Sequence, residues 1–93
     1  MIKEKIYIVG AITGVENWQA KFIDARNSRI RWYDIVTPLD YPGGLTPKEY
    51  MELSCASVFW ADKILVTKGW ENSKGTKAEI ALAESYGLPV EYL

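Results

Sequence analysis

An α/β fold built on one parallel sheet is what the order of elements in this sequence predicts. Three observations predict it. The runs Ile6-Tyr7-Ile8-Val9 and Asp62-Lys63-Ile64-Leu65-Val66-Thr67 have the length and β-branched composition of buried strands. Helical stretches fall between the strand candidates, giving the order β-α-β-α-β-α-β. The chain has 93 residues, enough for one domain spanning residues 1–93 and one modest core. These point to a small flavodoxin/Rossmann-like three-layer sandwich, with a four-stranded parallel sheet in the order 2-1-3-4.

Each element has a local reason. The first strand ends at Gly10, and the loop Gly10-Ala11-Ile12-Thr13-Gly14 follows. A helix is expected from about Asn17, as its N-cap, to Ile30, with Trp18, Phe22, Ala25 and Ile30 on one face. Asp34-Ile35-Val36-Thr37 reads as a short strand stopped by Pro38, and residues Leu39 to Leu45 as loop. Thr46 as N-cap, Pro47 at the first helical position and Glu49 closing a capping box start a helix that should reach Trp60. After the strand at 62–67 comes a loop from Lys68 to Lys74. A helix from about Thr76 to Tyr86 is stopped by Gly87, and Pro89-Val90-Glu91-Tyr92 reads as the last strand.

Composition excludes several function classes. Apolar residues make up 48% and aromatic residues 13%, against disorder. A net charge of −1 argues against binding a nucleic-acid polymer. The longest apolar run, Ala56 to Ala61, is interrupted by Ser57 and too short for a bilayer, so no membrane association is expected. The first residues, Met1-Ile2-Lys3-Glu4-Lys5, do not read as a signal peptide. With Cys55 as the single cysteine, a reducing, cytoplasmic location is expected. Histidine is absent, which removes Ser-His-Asp and Cys-His nucleophile systems and His-based zinc sites. Any catalysis must use carboxylates, Tyr, Lys, Ser/Thr or backbone amides.

In parallel sheets of this kind ligands bind at the carboxyl ends of the strands. Two loops lie there. Gly10-x-x-x-Gly14 allows close backbone approach or simply a tight turn, and it is not the G-x-G-x-x-G of dinucleotide sites. Ser73-Lys74-Gly75-Thr76-Lys77-Ala78-Glu79 leaves a strand and opens a helix, so Ser73, Gly75 and the free amides of the first turn make an anion seat. Thr76-x-x-Glu79 is also a capping box, and capping alone would explain both residues.

These residues resemble the nucleoside 2-deoxyribosyltransferase-like superfamily, especially its small, often phage-encoded members. Tyr7-Ile8-Val9-Gly10-Ala11-Ile12-Thr13-Gly14 looks like the family's opening Y-I-x-G-P-I-T-G. Ala61-Asp62-Lys63-Ile64-Leu65 resembles its A-D or C-D strand start. Gly69-Trp70-Glu71-Asn72-Ser73-Lys74-Gly75-Thr76-Lys77-Ala78-Glu79 resembles its G-W-x-x-S-x-G-A-x-x-E. Gly75-Thr76-x-x-Glu79 is similar to the G-T-x-x-E of phosphoribohydrolases that release cytokinin bases, without their preceding Pro-Gly-Gly.

The resemblance implies N-glycosidic bond cleavage or deoxyribosyl transfer on a nucleoside 5′-monophosphate. Glu79 matches the family's carboxylate nucleophile, suited to an oxocarbenium-like transition state. Tyr7 matches the tyrosine that orients that carboxylate. Ser73 matches the serine that holds a 5′-phosphate in the monophosphate hydrolases. Gly10, Ile12, Thr13 and Gly14 are the expected substrate-binding residues of the first loop. Trp70, Ser73, Gly75 and Thr76 are those of the second; Trp70, in the loop beside the anion seat, either stacks on a base or covers the core. No cofactor and no metal is expected, and a homodimer or larger assembly is.

Two departures stand out. Ala11 replaces the family's proline. Ser54 stands where catalytically competent relatives place an aspartate facing the base, and Glu52 and Asp40 are the nearby acids. Ser54 therefore favours an alternative, a non-catalytic nucleotide-binding protein of the same fold. A third reading is an interaction module in which Glu79 only caps. Phe59 and Trp60 read as core, Cys55 as packing, Asp62 as a turn residue, and Lys68 and Lys74 as solvated or within reach of a phosphate.

Overall fold

The computed structural model describes residues 2–93. Four strands, β1 (Glu4–Val9), β2 (Tyr33–Val36), β3 (Lys63–Val66) and β4 (Val90–Tyr92), form one sheet in the order β2-β1-β3-β4. Every pairing is parallel, with Tyr7 opposite Val36 on one side and Ile64 on the other. Three helices connect them: α1 (Gln19–Arg29), α2 (Pro47–Trp60) and α3 (Lys74–Ser85). The expected fold and strand order are the observed ones.

Strand alternation divides the core into two layers. Ile6, Ile8 and Leu65 face α1, where Phe22 and Ala25 meet them. Tyr7, Val9, Ile64 and Val66 face Val58 and Ala61 at the end of α2, and Ile80 and Ala83 of α3. The central strands are thus apolar on both faces, as parallel sheets require.

Local details depart from the sequence reading. Asn17 does not cap α1. It takes a left-handed backbone, φ 51°, which asparagine tolerates, and Trp18 occupies the cap position without a side-chain bond. Ile30 lies just past the helix and is half exposed. The expected loop at 39–45 begins with a one-turn helix, Pro38–Asp40, capped reciprocally by Thr37 and Asp40. A second such turn spans Trp70–Asn72. Phe59 and Trp60 are not core: they are 54% and 38% exposed. Ser54, Val58 and Ala61, at helical spacing, form the buried stripe, and this turns Phe59 and Trp60 outward. Phe59 instead packs edge-on against Tyr86, centroids 4.8 Å apart.

α3 begins two residues earlier than expected. Ser73 is its N-cap and accepts a hydrogen bond from the Thr76 amide at 3.2 Å. Thr76 is therefore the third helical residue, and Glu79 lies beyond the first turn. The capping-box reading of Thr76 and Glu79 is overturned.

Among the described residues no helix is long and apolar enough to cross a membrane.

Candidate functional site

β1 passes the chain to β2 on one side of the sheet, and β3 passes it to β4 on the other. Their carboxyl ends therefore flank a crevice at the topological switch point. A cleft of about 810 Å³ opens there, within the size range of small-molecule sites. Gly10, Ala11, Ile12 and Thr13 form one wall. Leu45, Thr46, Pro47, Tyr50 and Met51, at the start of α2, form a second. Ser73, Lys74, Gly75, Thr76 and Glu79 form the third.

The α3 wall combines two features. Capping engages the Ser73 hydroxyl, which also accepts from Thr76 Oγ1 at 2.9 Å. The amides of Lys74 and Gly75, first in the helix, have no helical acceptor and carry the positive end of the helix dipole. A Cβ on Gly75 would meet open space, so the glycine leaves this wall low.

Glu79 lies deeper, 3% exposed. Its Oε2 accepts from Ser54 Oγ of α2. The Tyr7 hydroxyl lies 3.0 Å behind Ser54 Oγ, and the Tyr41 hydroxyl lies 3.0 Å from that of Tyr7 and 2.6 Å from Ser57 Oγ. Among the described residues, Thr67 Oγ1 is the one side-chain polar atom both sealed from solvent and without a partner. Glu79 Oε1, which has no hydrogen bond, is therefore open to the cleft. Burial pushes the Glu79 carboxyl above the usual carboxylate range, while the Ser54 and Tyr7 hydroxyls pull it back. Burial and the nearby carboxylate raise the pKa values of Tyr7 and Tyr50, and burial raises that of Tyr41, so all three hold their protons.

The structure brings together Gly10, Ile12, Thr13, Ser73, Gly75, Thr76 and Glu79 from the sequence-derived set. Three others do not line the cleft. Tyr7 is fully buried beneath it and reaches Glu79 through Ser54. Gly14 turns away after the loop, with φ 76°. Trp70 packs on Tyr92, centroids 5.4 Å apart, and against the core. Neither acid near Ser54 substitutes for an aspartate facing the cleft. Asp40 accepts the Thr37 amide at 2.9 Å, Glu52 is exposed on α2, and neither lines the cleft.

Sequence reasoning missed Tyr41, Tyr50, Met51 and the role of Ser54. One signal was present. Tyr50, Ser54 and Ser57 recur at spacings of four and three in α2, a row of hydroxyls beside the buried stripe. Tyr41, in a Pro/Gly-rich segment, offered none.

Among the described residues no group of three His, Cys, Asp or Glu side chains is placed to hold a metal ion. No curated protein sequence matches the chain. A family model does, over residues 4–92, from the second-strand partner Glu4 through the last strand. The match covers every strand of the sheet and all three walls of the cleft, so the chain belongs to the family described as a domain of unknown function, DUF4406.

Proposed function

We propose that this protein acts on the N-glycosidic bond of a nucleoside 5′-monophosphate, with Glu79 as the nucleophile. One observation carries the reading: a buried carboxylate with one open oxygen and a helix N-terminus share a wall of a single cleft. Six residues separate Ser73 from Glu79, a rise of about 9 Å along α3. That suits a phosphate at the amides of Lys74 and Gly75 and a sugar beside the carboxylate. Ile12, Pro47, Tyr50 and Met51 supply apolar and aromatic surface for a base.

In this mechanism Glu79 Oε1 attacks the anomeric carbon as the C–N bond breaks. The bonding pair leaves with the base, which takes a proton from water, and a glycosyl ester forms on Glu79. Water or a second base then resolves the ester. The sequence motifs around Tyr7, Ser73 and Glu79, similar to those of the nucleoside 2-deoxyribosyltransferase-like superfamily, support the same chemistry. A cytoplasmic protein that self-associates as a homodimer or larger, with no membrane or nucleic-acid polymer as partner, belongs to this reading, and light scattering tests the assembly.

A second reading, nucleotide binding without turnover, has its own support. Among the described residues Glu79 is the only carboxylate lining the cleft, and Ser54 is sealed from it and bonded to Glu79. A leaving base thus lacks the carboxylic acid that general acid catalysis would use, a loss of about two to four powers of ten in rate. Incubation with a panel of nucleoside 5′-monophosphates, followed by chromatography for free base, decides between the two. Base release that disappears in Glu79→Gln supports the enzyme. Binding without release supports the binder.

A further inference from the structure

Ser54 takes part in two hydrogen bonds, both to distant parts of the chain: one with Tyr7, 47 residues away, and one with Glu79, 25 residues away. A serine inside a helix more often bonds back to the carbonyl four residues earlier, as Ser57 does to Leu53 at 2.9 Å. Counting protons fixes the direction of the remaining bonds. A carboxylate has none to give, so Ser54 must donate to Glu79. Ser54 then has no second proton, so Tyr7 donates to Ser54. By the same step Tyr41 donates to Tyr7, while Ser57 donates to the Leu53 carbonyl and ends the run. Three contacts and three hydroxyl protons leave one arrangement, with the O–H groups of Ser54, Tyr7 and Tyr41 directed toward Glu79.

We propose that Ser54 is a positioning residue that stabilises the charged form of Glu79 and fixes its open oxygen in the cleft, with Tyr7 and Tyr41 aligned behind it as one chain of donors. Each bond in such a chain polarises the next, so Tyr41, which makes no hydrogen bond to Glu79, acts on its charge through Tyr7 and Ser54. The chain opposes burial, which favours the neutral carboxyl. No cation shares the task. Among the described residues, the ion pairs involve Lys5, Arg29 and Lys63, none of them with Glu79. The titratable groups facing Glu79 are Tyr7 from β1, Tyr41 from the segment after β2 and Tyr50 from α2, all holding their protons, with Lys74 on the cleft wall. The proposal does not rest on the nucleotide reading, because its readout is the carboxyl itself.

The test is a titration of the protein labelled with ¹³C at the glutamate side-chain carboxyl carbons, without added ligand. The Glu79 resonance is the one missing from Glu79→Gln. Ser54→Ala removes the donor and should raise the Glu79 midpoint by about one to two pH units, the shift expected for one hydrogen bond to a charged group. Ser54→Thr keeps the hydroxyl and should stay close to wild type. Tyr41→Phe preserves the ring in a half-buried segment and removes one link two bonds away. It should raise the midpoint by a smaller amount, on the order of half a unit. An unchanged midpoint in Ser54→Ala overturns the positioning role. An unchanged midpoint in Tyr41→Phe overturns the chain, and that variant keeps the proposal testable should Ser54→Ala fail to fold.

Discussion

A Cβ on Gly10 would lie 1.9 Å from Thr67 Oγ1 and 3.2 Å from the Phe22 ring. The two residues end neighbouring strands: Gly10 follows β1 and Thr67 follows β3, and both are buried where the chain turns toward the cleft. Gly10 is a glycine because Thr67 occupies its side-chain space. Its backbone φ is not in the left-handed region, so close approach, not turn geometry, fixes it. Gly10→Ala should therefore destabilise by about 1–3 kcal/mol, the usual range for overpacking. Thr67→Ala removes the clashing oxygen and should recover part of that loss in the double variant. Chemical denaturation of the four proteins checks it, and strictly additive losses would show that the clash is not the cause.

Stability should vary with pH in a direction set by Glu79. Its folded pKa is raised, so the folded state binds a proton that the unfolded state has released over the interval between the two pKa values. That contribution is present at acidic pH and lost as pH rises through the folded value. Glu49 and Glu91 act oppositely. The Thr46 amide and hydroxyl hold Glu49 low, Arg29 and Lys63 hold Glu91 low, and their contributions are lost as pH falls through those lowered values. The stability maximum should lie on the acidic side of neutrality. Glu79→Gln should flatten the limb above it and raise the neutral-pH Tm by about 4–8 °C for each kcal/mol gained. Thermal unfolding of both proteins between pH 4 and 8 (the span of a routine series, about four units) measures this. A steeper limb in the variant would contradict it.

Ser73 permits a sharper probe of the anion seat, because aspartate is as good an N-cap as serine. Ser73→Asp should keep α3 intact while placing a negative charge beside the amides of Lys74 and Gly75. Two like charges about 4 Å apart repel by about 1 kcal/mol even in bulk water. A nucleoside monophosphate should bind at least about fivefold more weakly, while the matching nucleoside changes little. Calorimetry with adenosine 5′-monophosphate and adenosine separates the outcomes. Equal weakening of both removes the phosphate from this position.

How much of this was legible in the sequence depends on how local each cause is. The sheet was legible because β-branched runs such as Ile6–Val9 carry their burial in their own composition, and the start of α2 because Thr46, Pro47 and Glu49 act within one turn. Asn17 misled because asparagine serves both as a cap and as a left-handed residue, and only the chain path selects between them. Phe59 and Trp60 misled because apolar residues on a helix mark a core only when they share its buried stripe. The Glu79 position was legible through its motif. Its partner Ser54 was not, since the two residues, 25 apart in sequence and on different helices, meet only through tertiary packing.

Trp70 and Tyr50 give the last prediction, because the sequence leaves Trp70 either stacking on a base or covering the core, and the structure favours the second. In the structure its ring lies 5.4 Å from that of Tyr92 and against the core, outside the cleft, while Tyr50 lines the wall opposite α3. Trp70→Ala should therefore cost stability, about 2–3 kcal/mol for a half-buried ring, below the 3–5 typical of a fully buried one. It should leave the affinity for adenosine 5′-monophosphate nearly unchanged. Tyr50→Ala removes the cleft aromatic and should weaken that affinity by about 5–150-fold, the range that 1–3 kcal/mol of stacking represents. Since Tyr50 also packs edge-on against Tyr41 at 5.5 Å, the variant must be compared at a temperature where both proteins are folded. If Trp70→Ala loses as much affinity as Tyr50→Ala while remaining folded, the base lies against Trp70 and the cleft must open beyond its present wall.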